Sequence, residues 1–222
     1  MTLPKKLTLE FHCHTHASKD SLTHPKDLVQ AARRKGLDHL VITDHNSIAG
    51  ARAAQALDLE LVIVGEEIMT TKGEILAAFV QEEIPPFLTP QETLMLLKAQ
   101  GAFISVSHPF DELRAGGWQE KDLLDVIPFV DAIEVYNSRC MLPRFNRKAL
   151  EFARLHGLAG TVGSDAHAVF EVGRSVLLLD QFAGPAEMRK VIRSAEFRVK
   201  WSPWWFHFVS RYASIRRRFL KS

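Results

Sequence analysis

Four short segments of the chain carry histidine or carboxylate side chains at the end of an apolar run. They are Phe11-His12-Cys13-His14, Thr43-Asp44-His45, Ser107-His108-Pro109 and Ser164-Asp165-Ala166-His167. Neutral imidazoles and ionised carboxylates are the ligands that borderline divalent cations prefer in proteins. Each segment stands where a strand is expected to meet a loop, so the pattern predicts a hydrolase that holds several metal ions.

The length and composition of the chain indicate one globular domain. Its 222 residues are 46% hydrophobic, which is enough to bury one sizeable core. Residues 1–6 lack the apolar stretch of a signal peptide, and no apolar run reaches the roughly 20 residues that a membrane-spanning helix needs. Cys13 and Cys140 are far apart in the sequence, so we expect free thiols and a reducing cytoplasm.

Charge is distributed unevenly along the chain. Residues 197–222 hold seven Lys or Arg and no acidic residue, whereas residues 1–196 hold 21 basic and 26 acidic residues. The last segment is also rich in aromatic residues. We therefore expect a body at residues 1–196 and a basic, aromatic helical tail at residues 197–222.

Short apolar runs alternate with helical patterns through the body, which is typical of parallel strands joined by helices. The predicted strands are 7–11, 40–43, 61–64, 75–80, 103–107, 132–136, 161–163 and 175–179. Pro25 and Pro90 predict helix starts, and Gly36, Gly101 and Gly157 follow basic residues at predicted helix ends.

The ligand residues favour a closed barrel over an open sheet. An open parallel sheet concentrates its site at one point where the strand order reverses. Here the candidate ligands are expected at the ends of five different strands, as at the top of a β/α barrel. They are His14, His45, Glu67, His108 and Asp165. We predict an α/β fold, a distorted TIM-like barrel.

In these motifs the sequence resembles the PHP family, named for polymerase and histidinol phosphatase domains. The family pattern reads H-x-H, T-D-H, G-x-E, S-H-P and D-x-H, and all five elements occur in this order between residues 7 and 180. They are His12-Cys13-His14, Thr43-Asp44-His45, Gly65-Glu66-Glu67, Ser107-His108-Pro109 and Asp165-Ala166-His167. The resemblance implies a seven-stranded β/α barrel that holds Mn, Fe or Zn ions and hydrolyses phosphoesters.

The resemblance also implies which residues hold each ion. The first metal would be held by His12, His14, Glu67 and Asp165. Glu67 would bridge to a second metal, which His108 also binds. The third metal would be held by Asp20, His45 and His167.

Two of these positions differ from the family pattern. Asp20 stands where relatives often have histidine, although a carboxylate suits the same cations. Glu74 stands where many relatives have a histidine that completes the second site. Either Glu74 replaces that ligand or the second site is weakly occupied, so the resemblance implies two or three ions per chain.

Three further residues are candidates for roles in catalysis. Arg139 follows a predicted strand end and is a candidate clamp for a phosphate group, or it faces solvent. Asp44 is expected to orient a ligating imidazole, since such ligands usually have an outer partner. His16 either donates a proton to the leaving group or is exposed to solvent.

The function implied is a metal-dependent phosphoesterase that uses a metal-bound hydroxide. The substrate would be a phosphorylated small molecule, a nucleotide or an oligonucleotide. One alternative is a protein phosphotyrosine phosphatase of the same fold. The other is a non-catalytic metal-binding adaptor that recruits a partner through its tail. The sequence does not indicate an oligomeric state.

Apolar and aromatic residues recur at helical spacing in the tail, with arginines between them. They are Trp205, Phe208, Val209, Tyr212, Ile215 and Phe219. Three interpretations stay open. The helix packs its apolar stripe onto the barrel, lies on an anionic membrane surface, or binds a nucleic-acid backbone. The second interpretation would make the protein peripheral at the membrane.

Overall fold

The structure, a computed structural model, describes residues 5–114 and 116–220, with the backbone alone for residues 218–220. Within these residues the chain forms nine strands. They are β1 (Leu7–Glu10), β2 (His39–Ile42), β3 (Val62–Met69), β4 (Glu74–Ala78), β5 (Phe103–Val106), β6 (Ala132–Asn137), β7 (Ala159–Gly163), β8 (Val176–Leu179) and β9 (Glu196–Arg198).

Seven α-helices occur in the same described residues. They are α1 (Pro25–Arg34), α2 (Ala49–Gln55), α3 (Pro90–Ala99), α4 (Glu120–Val126), α5 (Pro143–Leu155), α6 (Pro185–Val191) and α7 (Phe206–Leu220). Short 3-10 helices at Ile127–Phe129 and Ile192–Ser194 follow α4 and α6.

One mixed sheet contains all of these strands, in the order β7-β6-β5-β4-β3-β2-β1-β8-β9. Backbone hydrogen bonds then join the segments that follow β1 and β7. The amide of His14 donates to the carbonyl of Ala166 at 2.9 Å, and that of Asp165 donates to the carbonyl of His12 at 2.8 Å. The sheet is therefore a nearly closed barrel, and the residues that follow β1 and β7 lie side by side at one end of it.

The sheet differs from the expected one in strand number and direction. It has nine strands within the described residues rather than the seven that the family resemblance implies, because β8 and β9 continue the sheet beyond β1. The expectation that all the strands are parallel is wrong, since β4 is antiparallel to both β3 and β5, and β8 is antiparallel to β1. Residues 70–73 join β3 to β4 as a hairpin, and strands joined by so short a loop must be antiparallel.

The predicted helix boundaries follow from local chemistry. Pro25 and Pro90 begin α1 and α3, as predicted. The helix α3 also has a capping box, in which Thr89 and Glu92 satisfy each other's backbone amides. Gly36, Gly101 and Gly157 have φ of 69°, 73° and 63° at the ends of α1, α3 and α5, as a glycine C-cap requires.

The helix α7 follows a segment that is continuous with the barrel. β9 crosses the predicted body–tail boundary at residue 197, because Glu196–Arg198 pairs with β8. The amide of Ser202 then donates a hydrogen bond of 2.8 Å to the carbonyl of Ser138. The division into a body and a tail stays a prediction. Among the described helices, none combines the length and the apolar character that crossing a bilayer demands.

Candidate metal centre

The strand ends bring the candidate ligands together. His12 and His14 follow β1, His45 follows β2, and Asp165 and His167 follow β7. His108 likewise follows β5. The carboxyl ends of the parallel strands of a barrel meet at one rim, so side chains from distant parts of the sequence converge there.

Glu67 reaches the cluster differently from the other candidate ligands. The expectation that it ends a strand is wrong, because β3 continues to Met69 in its hairpin with β4. A backbone bridge pairs Glu67 with His45. Glu67 therefore projects from within a strand, while His45 approaches from the loop after β2.

The first group of ligand atoms has the dimensions of a metal site. The Nε2 atoms of His12 and His14 are 3.1 Å apart. They lie 3.3 and 3.5 Å from Oε2 of Glu67, and 3.6 and 3.2 Å from Oδ1 of Asp165. Four ligands in a tetrahedron, each about 2.0–2.2 Å from a central ion, are themselves about 3.3–3.6 Å apart. The observed spacing fits a cation.

Hydrogen bonds at the other ring nitrogen turn Nε2 of three histidines toward the cluster. Nδ1 of His12 donates to Oε1 of Glu134 at 2.9 Å, and Nδ1 of His14 donates to Oγ of Ser18 at 3.1 Å. Nδ1 of His167 donates to the backbone carbonyl of Asp165 at 2.8 Å. A proton held on Nδ1 leaves the Nε2 lone pair free, which is the usual tautomer of a ligating histidine.

The hydroxyl group of Ser18 connects Asp44 to His14. Oδ1 of Asp44 accepts the Oγ proton of Ser18 at 2.6 Å, and its Oδ2 accepts that of Thr15 at 2.6 Å. Because the Ser18 proton points to Asp44, the Ser18 oxygen is free to accept from His14. This arrangement is consistent with the predicted orienting role of Asp44, which stays a prediction. Glu134 contacts a candidate ligand directly and was not predicted from the sequence.

A second group of ligand atoms shares Glu67 with the first. Nε2 of His108 lies 3.2 Å from Oε1 of Glu67 and 3.3 Å from Oε2 of Glu74. Ser107 donates a hydrogen bond of 2.6 Å to the same Glu67 oxygen. The two oxygens of Glu67 therefore face different groups, so this carboxylate would be able to hold an ion in each group. Glu74 lies at the position where it would be a ligand, and that role stays a prediction.

Asp20 lies at the centre of the third group of ligand atoms. Its Oδ2 is 3.2 Å from Nε2 of His167 and 3.5 Å from Nε2 of His45. The ring of His14 lies against both imidazoles, with centroid distances of 4.3 Å to His167 and 4.5 Å to His45. The first and third groups are therefore adjacent.

Several of these buried atoms have no hydrogen-bond partner among the described residues. They are Oδ1 of Asp20, Oε2 of Glu67, both ring nitrogens of His108 and Oδ1 of Asp165. Leaving such atoms unpaired in the interior is costly. Coordination of divalent cations by the clustered oxygens and imidazoles would remove most of that cost. The residues present therefore fit metal ions of the Mn, Fe and Zn type.

The protonation states of two of these residues, His14 and Asp165, also suit metal binding. Burial, together with the nearby imidazoles of His167 and His45, lowers the pKa of His14 to about 3. His14 is therefore neutral near pH 7. Burial opposes charge on Asp165, yet the Arg114 guanidinium and the His12 imidazole hold the pKa of its carboxyl well below the usual range. Asp165 is therefore an anionic ligand.

An open cavity of about 400 Å³ lies beside the ligand cluster, with Asp20, His45, Glu74 and His167 in its wall. Four residues that carry cationic or imidazole groups also line it, namely Lys19, Arg114, Arg139 and His207. Cations beside a metal cluster are suited to bind the oxygens of a phosphate.

Arg114 is the basic residue that is linked most directly to the ligands. Its Nη1 lies 2.6 Å from Oδ2 of Asp165, and its Nε lies 3.1 Å from Oδ2 of Asp111. Arg114 was not predicted from the sequence, although it follows the Ser107-His108-Pro109 motif by only a few residues. That short separation is the signal that would have identified it.

Arg139 is buried and is engaged with the last helix. Its Nη2 donates hydrogen bonds to the carbonyl of Phe206 and the hydroxyl of Ser210, while Nη1 lies 3.6 Å from Oε1 of Glu171. The structure therefore excludes the alternative in which Arg139 faces solvent. Its role as a phosphate clamp stays a prediction.

Two further histidines near the site, His16 and His207, differ in their position relative to the cavity. His16 does not line the cavity, and its ring packs 4.8 Å from that of His24. His207 does line the cavity, because α7 lies across its edge. Burial, with the Arg139 and Arg114 guanidinium groups, lowers the pKa of His207. His207 belongs to the predicted tail and was not predicted from the sequence as a site residue.

Comparison with known proteins agrees with these motifs. Residues 10–114 match the family model of the PHP domain, and residues 143–197 match that of the PHP-associated region. An uncharacterised protein of Methanocaldococcus jannaschii is 36% identical over 174 residues, which are 77% of this chain and 70% of that protein. The chain belongs to the PHP family.

Two more distant matches extend over much of the chain. A protein of Caldicellulosiruptor bescii named "probable phosphatase" is 24% identical over 217 residues, with 82% of this chain and 90% of that protein covered. A solved structure from Bacteroides vulgatus has a TM-score of 0.68 at 20% identity, with 90% of this chain and 68% of that chain covered. It is described as a two-domain protein containing a predicted PHP-like metal-dependent phosphoesterase. At this identity the likeness concerns the fold.

Proposed function

We propose that this protein is a metal-dependent phosphoesterase. The observation that carries the proposal is the first ligand group, in which the Nε2 atoms of His12 and His14 lie 3.1 Å from each other and 3.2–3.6 Å from oxygens of Glu67 and Asp165. These residues come from three separate parts of the chain, and buried oxygens of Glu67 and Asp165 have no hydrogen-bond partner among the described residues. Divalent cations would supply Lewis-acid chemistry there, lowering the pKa of a water molecule and neutralising charge on phosphoryl oxygens.

Other residues of the chain would orient the metal ligands and the substrate. Glu134 and Ser18 keep the imidazoles of His12 and His14 oriented, and so keep the site organised before a substrate arrives. Arg114 balances the charge of Asp165 and lies at the cavity wall. Lys19 also lines the cavity. These two cations are suited to binding the non-reacting oxygens of a phosphate, which orients the ester.

The substrate we propose is a phosphorylated small molecule, a nucleotide or an oligonucleotide. A cavity of about 400 Å³ lies within the range of small-ligand sites. The likeness to a Caldicellulosiruptor protein named "probable phosphatase" supports phosphoester chemistry. We propose Mn, Fe or Zn as the metal and a cytoplasmic site of action.

The experiment measures metal content and phosphoester hydrolysis on the same preparations of the protein. The chain is purified, loaded with Mn²⁺, Fe²⁺ or Zn²⁺, and assayed for metal by elemental analysis. It is then assayed on p-nitrophenyl phosphate, mononucleotides, a short oligonucleotide and a phosphotyrosine peptide. We expect two or three ions per chain, and turnover of at least one non-peptide ester.

Two variants separate the proposed site from the rest of the chain. His12→Ala and Asp165→Asn should each lose bound metal and at least about a hundredfold in turnover. His156→Ala, which changes an exposed histidine at the end of α5, is the matched control and should change neither. Turnover of the phosphotyrosine peptide alone would indicate a protein phosphatase. Full metal loading without hydrolysis of any ester would contradict the proposal and favour a metal-binding adaptor.

A further inference from the structure

The last helix packs against the barrel through one of its faces. Phe206 and Ala213 of α7 are buried, and Ser210, which lies on the same face, lines the cavity. Their spacing of four and three residues forms one stripe along the helix. The aromatic stripe that the sequence singled out is a different face of this helix.

Most of that second face points away from the protein, whereas the ring of Trp205 at its edge lies 6.2 Å from that of Phe170. Large apolar side chains there are 46–65% exposed, namely Trp204 and Trp205 just before the helix, and Phe208, Tyr212 and Ile215 within it. Spacings of four and three residues also connect Phe208, Tyr212 and Ile215. Among the described side chains of this stripe only Val209 is half-buried, so the interpretation in which the helix packs these side chains onto the barrel is wrong. The side chain of Phe219, the last member of the stripe, lies outside the described residues. Contiguous exposed apolar surface of this kind marks an interaction site.

Specific contacts fix the rotation of the helix. Arg139 donates hydrogen bonds to the Phe206 carbonyl and the Ser210 hydroxyl, and Arg217 donates to the carbonyl of His16. The Arg174 guanidinium also lies 5.1 Å from the centre of the Phe206 ring. Turning α7 to bury its aromatic side chains would break all of these contacts. The aromatic face points outward because the opposite face of the helix makes these contacts with the rest of the protein.

The charge on this segment indicates the partner. Residues 197–222 contain seven Lys or Arg and no acidic residue, whereas residues 1–196 have an excess of acidic residues. Arg211 and Arg216 are exposed and lie beside Tyr212 and Ile215. Aromatic and aliphatic side chains among arginines are suited to the headgroup region of an anionic membrane.

The shape of the surface favours lipid over nucleic acid. Proteins that follow a nucleic-acid strand do so with a positively charged groove, in which aromatic side chains form stacking platforms. Here the apolar and basic side chains lie on the convex outer surface of a single helix. A convex amphipathic helix is the form that interfacial membrane binding uses.

We propose that the outer face of α7 binds an anionic lipid surface. We define this outer face as Trp204, Trp205, Phe208, Arg211, Tyr212, Ile215 and Arg216. His207 and Ser210 of the same helix line the active-site cavity, so bound lipid would lie next to the cavity. The surface is an addition to the proposed phosphoesterase activity and does not depend on it.

Vesicle co-sedimentation of the full chain tests the proposal. One set of vesicles is phosphatidylcholine alone, and the other is phosphatidylcholine with phosphatidylglycerol. Phe208→Ser/Tyr212→Ser removes apolar area, and Arg211→Glu/Arg216→Glu reverses charge, both at exposed positions. Leu155→Ser is the matched control, because Leu155 is 79% exposed at the end of α5, just before β7 starts and away from the ligand rim.

The native chain should bind the anionic vesicles at least about tenfold more tightly than the neutral ones. Each double variant should lose about tenfold or more of that affinity while melting at the native temperature, and Leu155→Ser should lose none. Three results would overturn the proposal. They are no vesicle binding by the native chain, binding that both double variants retain, and binding of an oligonucleotide or a second copy of the chain through this face without binding of vesicles.

Discussion

Glu74 and Gly116 approach each other so closely that residue 116 has no room for a side chain. A Cβ atom built on Gly116 would lie 2.1 Å from Oε2 of Glu74, the oxygen that is 3.3 Å from Nε2 of His108. The backbone carbonyl of Gly116 also accepts a hydrogen bond of 3.2 Å from the amide of Glu74. The loop that follows His108 therefore holds Glu74 against the second ligand group.

Gly116→Ala should accordingly weaken the second metal site and spare the first. The added methyl group must push the Glu74 carboxylate away from His108, while the four atoms of the first group are untouched. We expect about 10–100-fold weaker binding of one ion per chain, measured by titration calorimetry with Mn²⁺. Gly184→Ala, where a Cβ would meet nothing within 4 Å, is the control. Unchanged stoichiometry and affinity in Gly116→Ala would show that Glu74 is not a ligand.

Ser18→Ala should loosen the first metal site through His14. Without the Ser18 hydroxyl, Nδ1 of His14 loses its acceptor, and Asp44 loses the donor that links it to this imidazole. We expect about a tenfold loss of metal affinity, with a similar loss in kcat/KM at limiting metal. Ser194→Ala, whose hydroxyl donates a hydrogen bond to the local Val191 carbonyl, should behave like the native chain. If Ser18→Ala bound metal as tightly as the native chain, the proposal that Asp44 and Ser18 orient His14 would be wrong.

Arg114→Ala should move metal binding by the first group to higher pH. The guanidinium is the strongest favourable influence that holds the Asp165 carboxyl ionised, so its loss lets the Asp165 pKa rise toward the ordinary range. Protons then compete with the metal at a higher pH than in the native chain. We expect the acidic limb of the Mn²⁺-binding profile to shift upward, with weaker phosphate inhibition. Arg144→Ala, at a different surface pocket, should leave the profile unchanged. Identical profiles for Arg114→Ala and the native chain would contradict the assigned role.

The sequence predicted eight of the nine strands, and the motif-based ligands do converge in the structure. Apolar runs identify buried strands because the positions of a strand inside the core are occupied by apolar residues. The same runs do not record strand direction, so the antiparallel β4 was missed. The strand β9 was missed because Glu196–Arg198 is exposed and has no apolar alternation.

Residues that reach the site through tertiary packing could not be predicted from a local pattern. His207 lies about forty positions beyond His167, the last ligand motif, and lines the cavity only because α7 lies across the rim. The direction in which the aromatic face of α7 points could not be predicted for the same reason. A stripe at helical spacing shows that a helix is amphipathic but not which side packs. Here contacts made by Arg139 and Arg217 decide that orientation.

Glu66 adjoins the candidate ligand Glu67 in sequence but points to the opposite side of β3, where it is fully buried. One of its oxygens accepts a hydrogen bond of 3.0 Å from the amide of Ile84, and the other has no partner among the described residues. Burial raises the pKa of Glu66 to about 8 from an ordinary value of 4.5. Its neutral form therefore stabilises the fold at low pH, and this contribution is lost as the pH rises from about 4.5 through about 8.

Glu66→Gln keeps the shape and the acceptor but cannot ionise, so the variant should gain stability over the native chain as the pH increases. We expect similar melting temperatures near pH 5 and an advantage for the variant of about 5 °C near pH 9, measured by calorimetry. Glu82→Gln, at an exposed position nearby, should show no pH-dependent difference. A constant difference between Glu66→Gln and the native chain across this range would mean that Glu66 is ionised in the folded protein throughout, because only a change in proton uptake on unfolding makes stability depend on pH.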